Sequence, residues 1–141
     1  MNGVEITKLD MMQTPGGDVM HGLKSIDSSF VGFGEAYFSI IDHQSIKGWK
    51  RHKRMTLNLI VPTGSVKFVI YDDRIESSSY GEFKVVELSR DNYNRLTISP
   101  MLWLGFQGVG KEENIVLNVA SIPHDPDEVD KKDVEEFNFC W

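Results

Sequence analysis

Apolar and polar positions alternate along much of the chain in short runs separated by turn-forming residues, a pattern that predicts strands rather than helices. The runs fall at about 35–41 (EAYFSII), 46–52, 55–61 (MTLNLIV), 65–71 (SVKFVIY), 83–88, 95–99, 102–107 and 114–121. Pro62-Thr63-Gly64 predicts a tight hairpin, because Pro presets one turn angle and Gly tolerates another. Ser77–Gly81 and Gln107–Gly110 have loop compositions. The charged segment Asp127–Glu136 is the candidate for a short C-terminal helical turn. About eight mostly antiparallel strands must hide their edges, and closure into a barrel or jelly roll does so. The expected fold is therefore all-β, one barrel domain over residues 1–141, with room for a ligand in the mouth.

Composition agrees with a packed globule: 141 residues, 40% of them hydrophobic, with eight Phe, four Tyr and three Trp. The formal charge of −6 speaks against a general affinity for nucleic acid or anionic membranes. The single cysteine, Cys140, permits neither an intrachain disulfide nor a Cys-based zinc site. Residues 1–10 carry Glu5 and Asp10 and no apolar core, unlike a secretory signal, and no apolar run has the length of a membrane span. These features make the cytoplasm the expected location.

One stretch changes this picture. Lys47-Gly48-Trp49-Lys50-Arg51-His52-Lys53-Arg54 holds five of the fifteen basic residues. On a strand, Lys50 and His52 share one face while Trp49, Arg51 and Lys53 take the other. Turned inward, Lys50 and His52 would attract an anionic ligand and could move protons. Turned outward, the same cations would guard an exposed edge; a nucleic-acid patch is a weaker third reading, since Trp49 belongs in a sheet. His21, His43 and His124 are scattered and form no His-X-His pair, so no metal site is expected. Asp72-Asp73-Arg74 reads as a turn with a local ion pair, and Trp103 and Phe106 read as core.

Several segments together resemble the dTDP-4-dehydrorhamnose 3,5-epimerases of the cupin superfamily. They are Gly34-Glu35-Ala36-Tyr37-Phe38-Ser39, Ile46-Lys47-Gly48-Trp49-Lys50 and the run from Gly64 to Arg74. Glu87-Leu88-Ser89, Asn92-Tyr93, Leu104-Gly105-Phe106 and Asn118-Val119-Ala120 continue the likeness, which spans roughly residues 34–120, and Ser121–Glu128 resembles the family's acidic stretch after the last core strand. The resemblance implies a cupin-type jelly-roll barrel, usually a homodimer, that binds a nucleotide sugar in its mouth without a metal or other cofactor. It also implies an isomerase acting on a dTDP-4-keto-6-deoxysugar in deoxysugar and surface-polysaccharide biosynthesis. The departures are local: Lys50 stands where the family has its catalytic histidine, Leu104 replaces the histidine of a His-Gly-Phe motif, and a gapless count puts Leu117 at the catalytic tyrosine. The aspartate that supports the family's base comes from a C-terminal stretch that has no expected counterpart in this sequence. Lys50 and His52 are accordingly the candidate catalytic centre, with Lys47 near phosphates or sugar. Tyr37, Asn58, Tyr71 and Asn118 are candidate hydrogen-bonding neighbours. A non-catalytic cupin that binds a sugar nucleotide or glycan is the alternative.

Overall fold

A computed structural model describes residues 1–141. Twelve strands form: β1 (Val4–Lys8), β2 (Met11–Met12), β3 (Val19–Met20), β4 (Glu35–Ile41), β5 (Ile46–His52), β6 (Leu57–Thr63), β7 (Ser65–Tyr71), β8 (Phe83–Ser89), β9 (Asn94–Ile98), β10 (Trp103–Gly108), β11 (Asn114–Ala120) and β12 (Val129–Lys131). Ten of them build two antiparallel five-stranded sheets, ordered β1-β9-β6-β11-β4 and β12-β5-β10-β7-β8, and the short β2–β3 pair stands apart. The two sheets face each other as a jelly-roll barrel.

Alternation decides what lies between the sheets. Leu57, Leu59 and Val61 of β6, Val66, Phe68 and Ile70 of β7, and Leu96 and Ile98 of β9 all point inward, each i, i+2 set filling one face. Gly64 closes the β6–β7 hairpin at φ +81, where a side chain would collide with the Asn114 carboxamide 2.3 Å away.

The outer faces are not simply solvated. On the second sheet, Trp49, Val69 and Trp103 are buried beneath Phe137, Phe139 and Trp141 of the final segment. Trp49 and Trp141 sit 5.2 Å apart between ring centroids, and the Trp49 indole N–H donates to the Val134 carbonyl at 3.0 Å. On the first sheet, Arg95 is wholly buried under residues 22–29 and donates to the Gly22 carbonyl (2.8 Å), Asp27 (3.0 Å) and Ser29 (2.6 Å).

The expected C-terminal helical turn forms as two single 3-10 turns, Pro126–Glu128 and Val134–Glu136, with β12 between them. Strand pairing to β5 captures Val129–Lys131, where a free segment of that charge would have coiled. The run expected at 55–61 instead starts at Leu57, because the Met55 N–H is drawn off to the Glu128 carboxylate at 3.3 Å.

Candidate active site

A cavity of about 160 Å³ opens between the sheets. Its wall on the second sheet carries Lys47, Gly48, Lys50, His52, Phe68, Leu104 and Phe106. The facing wall carries Tyr37, Ser39, Leu57, Leu59, Val116 and Asn118. Polar and apolar side chains thus share the lining, a mixture suited to a polar ring-sized ligand.

The basic strand β5 supplies three of these groups through a break in its alternation. Lys50 lies opposite Leu104 and Lys47 opposite Phe106, so three residues on β5 span two on β10. Strict alternation would send Lys47 out with Trp49; the bulge at 48–49 turns Lys47, Lys50 and His52 onto one face. Gly48 allows it, since a Cβ there would stand 3.1 Å from the Gly105 Cα of β10.

Cations on the other face are neutralised. Arg51 forms paired bonds to Asp73 (both 3.1 Å) and Asp130 (2.8 and 3.1 Å) and lies over the Trp103 ring at 4.6 Å. Lys53 pairs with Asp130 at 3.3 Å and Arg54 with Asp125 at 2.6 Å. The inward lysines have no carboxylate partner: the Lys47 ammonium donates to the Ile40 carbonyl at 2.6 Å. Lys50 faces Lys131 across the β5–β12 register, a like-charge pairing that costs stability. Partial burial first, then the charges of Lys131 and Lys47, lower the pKa of the Lys50 ammonium although its tip reaches solvent.

His52 is tied to a residue that the sequence pattern hides. Its Nδ1 meets the carboxylate of Glu128, 76 positions away in sequence, which is 2% exposed. The other carboxylate oxygen accepts backbone N–H bonds from Lys53 (3.1 Å), Arg54 (3.1 Å) and Met55 (3.3 Å). Burial pushes the Glu128 carboxyl upward, but the His52 bond and the Arg54 and Met55 N–H groups outweigh it and hold it below its ordinary value. An ionised Glu128 holds a proton on His52 Nδ1, which makes Nε2 the acceptor nitrogen of the neutral ring, and His52 lines the cavity.

Lys47, Lys50, His52, Tyr37 and Asn118 therefore meet at one cavity. Asn58 and Tyr71 do not, and both assignments are corrected. Asn58 alternates with the inward Leu57 and Leu59, so it faces out and bonds Thr97 at 2.8 Å and the Val119 carbonyl at 3.3 Å. Tyr71 alternates with the inward Ile70 and stacks on Phe83 at 4.5 Å in the outer aromatic cluster. Trp103 also belongs to that cluster, with its indole N–H on Asp73 at 2.7 Å, while Phe106 lines the cavity. Leu117 itself pairs with Phe38 and Ile60 on the outer face, and its inward neighbours on β11 are Val116 and Asn118. No three His, Cys, Asp or Glu side chains converge as a metal would require. No helix is long and apolar enough to cross a membrane.

No protein-family model matches the chain. Among curated proteins, it is 26% identical over 98 residues to a probable low-salt glycan biosynthesis epimerase, Agl13 of Haloferax volcanii. That match spans 69% of this chain and 63% of the relative, so it leaves more than a third of that protein uncovered. The spore coat polysaccharide biosynthesis protein SpsL of Bacillus subtilis is 26% identical over 145 residues, covering 100% of this chain and 96% of the relative. The solved dTDP sugar isomerase of Desulfovibrio desulfuricans superposes with a TM-score of 0.93 at 36% identity, covering 96% of this chain and 87% of that one. Identity at that level, sustained along nearly the whole of both chains and joined to the same barrel, means that the chain belongs to the dTDP-sugar isomerase family, of which the sequence resemblance to the 3,5-epimerases was one sign.

Proposed function

We propose that the protein is an isomerase of the 3,5-epimerase type that moves protons beside the ketone of a dTDP-4-keto-6-deoxysugar, in deoxysugar and surface-polysaccharide biosynthesis. The observation that carries this reading is the His52–Glu128 pair at the cavity wall. A carbon acid next to a ketone needs a base aimed at the C–H bond and a positive group near the oxygen where enolate charge develops. His52 Nε2 is the base, oriented through Nδ1 by Glu128, and Lys50 is the cation beside it. The roles expected of the two residues thus divide: His52 takes the proton, and Lys50 holds charge.

The cavity, at about 160 Å³, is small for a whole nucleotide sugar, so the sugar enters and the nucleotide stays at the mouth. Lys47 and Lys131 would hold the diphosphate there, which leaves Lys50 for the enolate oxygen. Lys50 and Lys131 repel each other across β5 and β12, and an anion turns that cost into affinity. The printed substrate class of the solved isomerase and the polysaccharide roles of the curated relatives support the same reading. The protein works in the cytoplasm in this reading, where Cys140 remains a free thiol.

A homodimer forms part of the proposal. The outer side of β4, an unpaired sheet edge, exposes Phe38 (68%) and Ile40 (55%), and Phe33 (66%) precedes them. Sedimentation of Phe38→Asp against the unmodified protein checks it: a dimer that becomes monomeric supports this contact, and an unmoved sedimentation coefficient removes it.

The catalytic test is incubation with dTDP-4-keto-6-deoxyglucose in heavy water, followed by proton NMR. Deuterium is expected at C3 or C5, with His52→Asn slowing exchange by about 100-fold or more. Saturable binding of the nucleotide sugar without exchange would show instead a non-catalytic sugar-nucleotide binder.

A further inference from the structure

Inversion at carbon needs a second group that delivers a proton from the side opposite the base. The geometry points to Tyr37 as that donor, an assignment that rests on the reading of His52 as the base. Tyr37 lies on β4 in the sheet facing β5, and both residues line the same cavity. A substrate ring held between the sheets would thus present one face to each.

The hydrogen-bond chain behind Tyr37 fixes which way its proton points. The Asn58 backbone N–H, which can only donate, reaches the Asn118 carboxamide at 3.1 Å, so the atom it meets must be the oxygen Oδ1. That leaves the Asn118 Nδ2 as the donor to the Tyr37 hydroxyl at 3.0 Å. Asn118 is 2% exposed and cannot turn over without stranding the Asn58 N–H. Asn58 is held in turn by the Thr97 hydroxyl at 2.8 Å. The Tyr37 oxygen therefore accepts from behind, and its own hydrogen is free for the cavity. The same Asn118 N–H steadies the phenolate left when that hydrogen is given up. Asn118 occupies the inward place on β11 and is directly opposite Tyr37 in the β4–β11 register, so the hydroxyl reaches the site from the neighbouring strand.

The step balances as a proton exchange. His52 Nε2 takes the C–H proton and becomes imidazolium as the electron pair moves into the enolate. Tyr37 then gives its O–H proton to the same carbon from the opposite face, restoring the ketone and leaving phenolate. Solvent returns a proton to Tyr37 and receives one from His52, so no other reactant is consumed.

The test follows exchange and inversion separately, with dTDP-4-keto-6-deoxyglucose in heavy water. The unmodified protein is expected to give deuterated, inverted product. Tyr37→Phe, which removes only the hydroxyl of a partly exposed ring, is expected to keep deuterium wash-in with retention while inverted product falls by about 100-fold or more. Tyr80→Phe, on an exposed turn, is the control and should match the unmodified protein. Inverted product from Tyr37→Phe at the unmodified rate overturns the assignment of Tyr37 while leaving the base intact. Exchange without any inversion in the unmodified protein also overturns it. Absence of all exchange in the unmodified protein overturns the base and the donor together.

Discussion

Replacing Glu128 by Gln tests how the site works with almost no change in shape. The glutamine amide must satisfy two neighbours that ask for opposite things. Three backbone N–H groups, from Lys53, Arg54 and Met55, require an oxygen on one side. With the oxygen placed there, the amide NH₂ faces His52 Nδ1 and can only donate to it. His52 must then carry its proton on Nε2, the nitrogen that is meant to be the base. Analogous tautomer reversals cost about 10⁴ in rate, so heavy-water exchange should fall between about 10² and 10⁴-fold. Stability falls as well, because charge-assisted bonds become neutral ones. At about 1 kcal/mol lost for each of three such bonds, the cost is about 3 kcal/mol. For a chain of 141 residues, that corresponds to a Tm lower by about 10 °C. Exchange should be measured well below the new midpoint, so that the folded fraction stays near one. A Glu128→Gln protein that exchanges within threefold of the unmodified rate would refute the dyad, whatever its Tm.

Other substitutions probe the same arrangement from different sides. Lys50→Met should raise Tm slightly and slow heavy-water exchange by about tenfold or more, since it removes repulsion from Lys131 and Lys47, an effect of about 0.5 kcal/mol or less at an exposed tip, while costing the cation beside the enolate. The lowered Lys50 pKa gives a matching sign: its penalty is present while the lysine is charged and is relieved as pH rises toward 10.5, so the variant's advantage should shrink in alkali. Asp130→Ala frees Arg51 and Lys53 and should cost about 1–3 kcal/mol in denaturant melts, whereas Asp125→Ala breaks the exposed pair with Arg54 and the cap bond from the Asp127 N–H and should cost about 1 kcal/mol. Gly105→Ala would put a Cβ 2.7 Å from the Trp141 ring and 3.2 Å from Trp49, so it should lose about 1–3 kcal/mol and alter the tryptophan near-UV circular dichroism. Arg74, followed by Ser77 and Ser79, holds the Asp72 carboxyl well below the usual carboxylate range against the opposing effect of burial. That support is complete above the ordinary value of 3.8 and is lost as pH falls toward the lower folded value, so Asp72→Asn should flatten the acid limb of the stability curve there.

Long strands were legible, whether inside a sheet or at its edge, because sustained alternation needs length: the expected 35–41, 46–52 and 65–71 coincide with β4, β5 and β7. The short elements were not. VEITK at β1 and VDK at β12 are too short for their pattern to decide, and their strand state comes from pairing with β9 and β5. Alternation also assigns residues to two faces without saying which is inside. Both outer faces here carry buried groups, so Asn58 and Tyr71 looked as much like cavity residues as Asn118 did. Lys47 reaches the cavity only through the β5 bulge, for which Gly48 was the one visible hint. Glu128 was hidden by its setting. It sits among acidic neighbours that do stay near the surface, and only the fold brings it to the backbone of 53–55. The supporting carboxylate was expected to be missing, and the likeness of Ser121–Glu128 to the family's acidic stretch was the one signal that pointed near it.

The division of charge on the basic strand links assembly of the barrel to assembly of the site. The outward cations fasten β5 to the segment after β11: Arg51 and Lys53 hold Asp130 of β12, and Arg54 holds Asp125 at the cap of the preceding turn. Glu128 lies between those two anchors, so the same ion pairs that look merely structural place the carboxylate beneath His52. The inward cations remain unpaired because an inward carboxylate would compete with the ligand for them. A strand with five cations among eight residues would repel itself if they shared one face. The pleat separates them, the bulge moves one across, and neighbouring acids neutralise only the outer set. The stability given up between Lys50 and Lys131 is thus confined to the cavity mouth, where an anionic substrate is the partner that can recover it.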